Sequence, residues 1–365
     1  MLVWLGELRL GWQLPINGLT SSLWHAHEMV YGYSLAVIAG FLLTAVPKWT
    51  NTASVSGAGL KVIFLAWLMA RVVGLFGGTS LLWLTAVLEL LFFTSLMIGI
   101  GVPIIRNRVF KQSGILVKVL LLATGNAVFY LGVTGYVDNG AHYGLIAGFY
   151  LVIALILTLG RRVIPAFIEG RLTLKHPLKN PAWVDGGSLL LFLVFWINEV
   201  FSPQSEWIGV VAMSLFFVHL VRLYHWYRPG IWTDPLLWVL YVSYLFIVIA
   251  FGLKGISILG IYYLPSLSLH LFAVGGIGLM TTGMMSRVAL GHTGRNIRES
   301  SAILPIAFAC LGLAAVVRVL FPIINIESYF TWISISQLLW ILGFGIIIFI
   351  YFPILVRPRL DGQQG

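Results

Sequence analysis

The sequence predicts an all-α fold, a polytopic transmembrane helical bundle, on three observations. Hydrophobic residues make up 59% of the chain and charged residues only 9%, against about 25% charge in a soluble domain. Mean hydropathy is +0.97. Apolar runs near the ~20 residues that cross a hydrocarbon core recur from end to end. No stretch has the composition of a soluble domain, so residues 1–365 read as a single integral membrane domain. The one cysteine, Cys310, lies inside an apolar run, which excludes an intrachain disulfide and reads as a small packing residue.

Breaks bearing polar residues, Pro or Gly delimit eleven full spans: 24–47, 59–77, 79–102, 113–134, 142–162, 183–201, 206–226, 233–254, 266–290, 301–323 and 328–355. Residues 1–8 are too short to cross. They read as a truncated first helix or an interfacial stub, so the first full span is numbered as the second helix of a twelve-helix architecture. The opening "MLVWLGELRLGWQLP" has no basic n-region or cleavage site and does not read as a signal peptide.

Charge placement gives the orientation. Apart from Arg9, Arg71, Lys254 and Arg318, all of the 22 Lys and Arg residues follow or flank the ends of even-numbered spans, from Lys48 through Arg106, Arg161, Lys179 and Arg228 to Arg359. The positive-inside rule makes those loops and the C-terminus cytoplasmic. The net charge of +10 is then topology, not a nucleic-acid footprint. Glu7, Asp138, Glu199, Glu206 and Glu327 fall on the opposite side.

This orientation puts His25 and His27 at the outer end of the second helix, and His142 and His270 at the outer ends of the sixth and tenth. His219 lies about two thirds of the way inward along the eighth helix, and His225 reads as part of an interfacial belt. Ionisable residues inside spans usually face a bundle interior. Arg71 and Arg318 fall in outer halves, Glu89 near mid-span, and Glu28 one turn into the second helix. Such charges are expected to pair. They read either as a packing network or as functional groups, with arginines neutralising anions such as haem propionates and glutamates relaying protons. The sequence does not assign the pairs.

On an ideal helix His25 and His27 point to opposite faces, about 200° apart. They serve two separate sites, or His25 precedes the helix and is free to swing, or both are cap residues beside Trp24. His25 and Glu28 are three apart and share a face, so Glu28 is placed to orient the His25 ring. An imidazole set within an apolar bundle suits haem iron or copper. In the tenth helix, Gly275, Gly276, Gly278 and Gly283 permit close approach of a neighbouring helix or of a flat macrocycle. Met280, Met284, Met285 and Met213 read as core filling before thioether ligands.

Four segments, "HAHEMVYGYSLAVIAGFLLTAVPKWT", "GRRVIPAF", "DPLLWVLYVSY" and "HLFAVGGIGLMTTGMMSRVALGHTGR", together resemble the signature segments of the NnrS family, in the family's order. The resemblance implies a twelve-helix bacterial inner-membrane protein that carries haem and copper and is associated with the response to nitric oxide. It places His25, His27 and Glu28 in the first motif, His270 at the start of the second long motif, and His292 in the "GHTGR" turn. Members commonly carry His where this chain has Tyr241, a departure that bears on the cofactor complement.

The expected cofactor contacts are therefore His25, His27, His270, His219, Arg71 and Arg318. His142 is a further metal candidate, and Glu28, Glu89 and Tyr241 have orienting or proton-relay roles. The functional expectation is a haem/copper protein of the bilayer that handles nitric oxide, with redox turnover left open and the electron donor unknown. Two alternatives stand beside it: a proton-coupled secondary transporter, although residues 1–180 and 181–365 show no convincing repeat, and an electron-carrying membrane cytochrome.

Overall fold

The computed structural model describes residues 2–12, 16, 19–76, 78–178, 180–203, 205–260, 265–360 and 362. Met1, Gly77 at the end of one expected span, and Lys179 of a basic loop lie outside the described residues. The chain is 83% helical, with no strand among the described residues. Its helices are α1 (Leu2–Leu10), α2 (Ser21–Thr50), α3 (Gly57–Phe76), α4 (Leu82–Arg106), α5 (Ser113–Val133), α6 (Gly140–Leu172), α7 (Ala182–Phe201), α8 (Glu206–Trp226), α9 (Pro235–Ile258), α10 (Ser266–His292), α11 (Leu304–Ile324) and α12 (Tyr329–Leu355). Among the described residues, the eleven from α2 onward are long and apolar enough to cross a membrane.

Local chemistry sets the helix ends. Thr20 caps α2 by accepting from Leu23 N at 3.3 Å. Asp234 caps α9 by accepting from Leu236 N at 2.9 Å, with Pro235 at the first helical position where its missing N–H costs nothing. At the far end of α2, Asn51 takes the left-handed conformation, φ 52°, a geometry Asn tolerates better than most residues.

The largest departure from the expected boundaries is α6. The apolar run ends at 162, yet the helix continues through Arg161, Arg162 and Pro165 to Leu172. Hydropathy marks where the bilayer would end, not where helical hydrogen bonding ends. The extension is anchored by Arg171, which pairs with Asp234 at 2.5 Å, and by Glu169, which accepts from Leu178 N at 2.5 Å.

Two spans are not uniformly α-helical. Helix α2 switches to π geometry over Glu28–Ser34, with His27 as the capping residue. Helix α10 does the same over Leu271–Gly278, capped by His270. Such wide turns are rare and favour functional sites. In α2, Ser34 Oγ donates to Met29 O at 2.8 Å, and Gly32 O accepts from Trp67 Nε1 at 2.9 Å. Both segments share a register, with glycine five and thirteen residues after the histidine: Gly32 and Gly40, then Gly275 and Gly283.

The chain clusters into two compact units. The first lies within Gly6–Leu155, and the second runs from Ile156 onward and takes in the first few residues. In the first unit, α5 and α6 approach closely through Gly125, Gly132, Gly140, Gly144 and Gly148, where an added Cβ would collide with backbone or with Tyr31. Tyr31, fully buried, threads into this groove from α2 and donates to Gly144 O at 2.6 Å. In the second unit α10 is the most deeply packed span. Across both, α3 and α12 bury the least and carry large exposed apolar side chains such as Phe64 and Phe349, as lipid-facing helices do.

Candidate functional site

The first unit holds a closed polar ring built from four helices. His27 from α2 is buried, its imidazole stacked on Phe129 at 4.4 Å and flanked by Tyr31 and Tyr130 at 5.1 and 5.4 Å. Its Nε2 lies 2.9 Å from Asn126 Oδ1 on α5. Asn126 Nδ2 donates to Glu89 Oε2 on α4 at 2.5 Å. Arg71 on α3 pairs with Glu89, and its Nη1 donates to Glu28 Oε1 at 2.8 Å. Glu28 closes the ring, with Oε1 3.6 Å from His27 Nδ1. Gly32 makes room: a Cβ there would come within 2.9 Å of both Arg71 Nη1 and Glu28 Oε2.

The ring fixes the histidine's chemistry. A carboxylate only accepts, so Glu89 must take a proton from the Asn126 amide nitrogen, and the amide oxygen is what faces His27. His27 Nε2 therefore carries a proton, and in the neutral ring Nδ1 is the unprotonated nitrogen, beside Glu28. Arg71 against Glu28 and Glu89, with His27 neutral, leaves the ring one formal negative charge. A cavity of about 20 Å³ borders it, lined by His27, Glu28, Thr85 and Tyr130 among apolar neighbours. That is room for about one water or one similarly small molecule.

The second unit has two clusters. Toward the basic end, His219 and Arg222 are fully buried on α8. Arg222 donates to Asp185 Oδ1 at 2.6 Å, Ser188 Oγ at 3.0 Å and Tyr244 Oη at 3.0 Å. His219 Nδ1 lies 2.8 Å from Tyr244 Oη and 3.1 Å from Arg222 Nη1, while Nε2 is buried without a hydrogen-bond partner. A guanidinium can only donate, so Nδ1 is the acceptor and Nε2 carries the proton, the tautomer opposite to the one needed for ligation through Nε2. At the opposite end, His270 Nδ1 lies 2.6 Å from Ser266 O and must donate to that carbonyl. Its Nε2 accepts from Arg318 Nη2 on α11 at 2.9 Å.

The structure thus gathers Glu28, His27, Arg71 and Glu89 in one site and adds Asn126, which the sequence reading does not single out; a lone amide in the middle of an apolar span is the available signal. His25 is half-buried two residues before His27. His142 is exposed, its ring beside Tyr143. Tyr241 donates to Leu223 O at 3.2 Å within the packing of α8 on α9. Among the described residues no three His, Cys, Asp or Glu side chains are arranged to hold a metal by themselves. The α10 glycines are filled by protein: a Cβ at Gly275, Gly276 or Gly278 would run into Phe246, Ile247 or Trp340 respectively. Those glycines serve helix packing and offer no bare face to a macrocycle.

An 83% helical chain with eleven apolar spans among the described residues, and with buried ionic networks, is a polytopic membrane protein of the helical-bundle class. It belongs to the NnrS family: the family model described as "NnrS protein" matches residues 1–359. No curated protein matches the chain closely enough to count as a relative.

Two of the histidines suit the metals that the family resemblance implies. His27 presents its Nδ1 lone pair with the other nitrogen held by a carboxylate-backed amide, the outer support a ligating imidazole usually has. His270 holds the opposite tautomer, with Nδ1–H on a backbone carbonyl, but its Nε2 lone pair is taken up by Arg318 and opens to a metal only when that guanidinium moves aside.

Proposed function

We propose that the chain is a haem- and copper-binding membrane protein that handles nitric oxide or nitrosative stress. Family membership supports the reading. The observation that carries it is the buried His27, whose Nε2 is held by Asn126 and whose Nδ1 lies beside a carboxylate and a cavity of about 20 Å³. When bound, haem iron and copper supply coordination positions for nitric oxide and a means of electron exchange.

The chain's own part is positioning. His27 and Glu28 offer the first unit's nitrogen and oxygen donors, and the negative ring favours a cationic guest. His270 offers a neutral imidazole in the second unit. Phe129, Tyr130 and Leu82 keep the small cavity largely apolar, which suits a weakly polar diatomic. The bilayer is the bacterial inner membrane, with the basic loops and the C-terminus cytoplasmic.

The test is purification in detergent with metal analysis and an optical spectrum, before and after nitric oxide. His27→Ala is expected to lower copper content, and His270→Ala to weaken or shift the Soret band. A colourless, copper-free wild type, or cofactor content unchanged in both variants, overturns the reading.

A further inference from the structure

Arg71 and Arg318, each in the outer half of its span, look alike in the sequence, but the fold leaves them in opposite electrostatic states. Arg71 is shared by two carboxylates. Arg318 has no carboxylate within 4.0 Å among the described residues. Its Nη2 donates to His270 Nε2 at 2.9 Å, its guanidinium carbon lies 5.4 Å from the centre of the Tyr329 ring, and its Nη1 is buried without a hydrogen-bond partner. His270 brings no compensating charge, because its Nδ1–H is committed to Ser266 O and the ring is neutral. The site therefore carries one uncompensated positive charge within a membrane span, an arrangement that is costly unless an anion joins it.

We propose that Arg318 and His270 form an anion-binding site for a small planar monoanion with two oxygens, of the carboxylate or nitrite class. A guanidinium edge matches two such oxygens with two parallel N–H donors. Here Nη2 is steadied by His270, Tyr329 lies along the guanidinium, and Nη1 is the donor in need of an acceptor. A monoanion brings the site to neutrality, whereas a dianion such as sulfate overshoots it. Arg318 supplies the charge and His270 steadies it; were His270 Nε2 to ligate metal instead, Nη2 would be released and the guanidinium would still need an anion. The oxygens could come from a free anion or from a carboxylate arm of a bound cofactor.

The test titrates purified protein of known cofactor content with sodium nitrite and sodium acetate at constant ionic strength, with chloride and sulfate as comparisons. Binding is read by calorimetry. A free-anion site gives saturable one-to-one binding of nitrite and acetate that is at least tenfold weaker in Arg318→Gln and unchanged in Lys61→Gln, an exposed basic control. A cofactor carboxylate in the site gives no titration in the loaded wild type, but a lower cofactor content in Arg318→Gln after washing. If Arg318→Gln does not fold, Arg318→Lys keeps the charge and is expected to lose the preference for nitrite and acetate over chloride. Equal binding, or none, with equal cofactor content in wild type and the folded variant overturns the proposal.

Discussion

Asn126 stands between His27 and Glu89, giving its amide nitrogen to the carboxylate at 2.5 Å and its oxygen to the imidazole at 2.9 Å. That one amide connects α2 to α4 through α5 and decides which nitrogen of His27 is protonated. Replacing it with Leu, which keeps much of the volume, releases the tautomer and takes the hydrogen-bond partner from His27 Nε2 and from Glu89 Oε2, although Glu89 keeps Arg71. The stability cost is expected to be about 1–3 kcal/mol, the penalty of one buried group left unsatisfied, His27 Nε2, since Glu89 stays paired. Copper affinity should fall about 10- to 100-fold, as for the loss of other supports of a ligating histidine. Thermal melting in detergent and a copper titration measure the two effects separately.

Arg71 has a different weight in the same ring. Arg71→Leu leaves Glu28 and Glu89 facing each other without a cation, and Glu89 is almost fully buried. The loss should be about 3–5 kcal/mol, typical of breaking a buried pair from one side. Glu28→Gln should cost less, because the Glu28 side chain keeps 22% exposure and Arg71 retains Glu89. Melting midpoints of the two variants check the order; a larger loss in Glu28→Gln would contradict the ring geometry.

Much of this architecture is legible in the amino-acid sequence. Long apolar runs locate the eleven spans because hydropathy reports the bilayer directly, and the rarity of Arg71, Glu28 and Glu89 in such runs marks them as partners. The pairing itself is not legible there, since it depends on how α2, α3 and α4 dock. Asn126 is marked only as a lone amide in "LLLATGNAVFYLGV", and without a charge it calls for no counter-charge that would have tied it to Glu89. The π segments after His27 and His270 are invisible for another reason. Where nearly every residue is apolar, a helix of wider turn leaves no periodic trace. The ideal-helix argument for His25 and His27 therefore holds only up to His27, and Glu28, the next residue, is set against His27 Nδ1 and Arg71.

The α5–α6 groove gives a packing prediction with its own control. Gly148→Val places side-chain atoms where Tyr31 now sits, and Tyr31 cannot retreat without giving up Gly144 O. Overpacking of this kind costs about 1–3 kcal/mol. Gly186 on α7 meets nothing within 4 Å of an added Cβ, so Gly186→Ala should be neutral or stabilise by up to about 1 kcal/mol through helix propensity. Opposite shifts in melting temperature are expected.

The pair of Lys254 and Glu199, 2.8 Å apart with both side chains nearly inaccessible, separates pairing from burial in the second unit. Removing one partner strands a charge among apolar neighbours, so Lys254→Met and Glu199→Leu should each cost about 3–5 kcal/mol. The double variant strands nothing and replaces the pair with apolar side chains, which is often neutral or even stabilising. It should recover most of the loss, giving a large favourable coupling in a double-mutant cycle. Because this pair touches neither His27 nor His270, cofactor content should follow folded protein in all three variants. A double variant as unstable as the singles would mean that the pair supplies a specific packing contact that apolar side chains cannot replace.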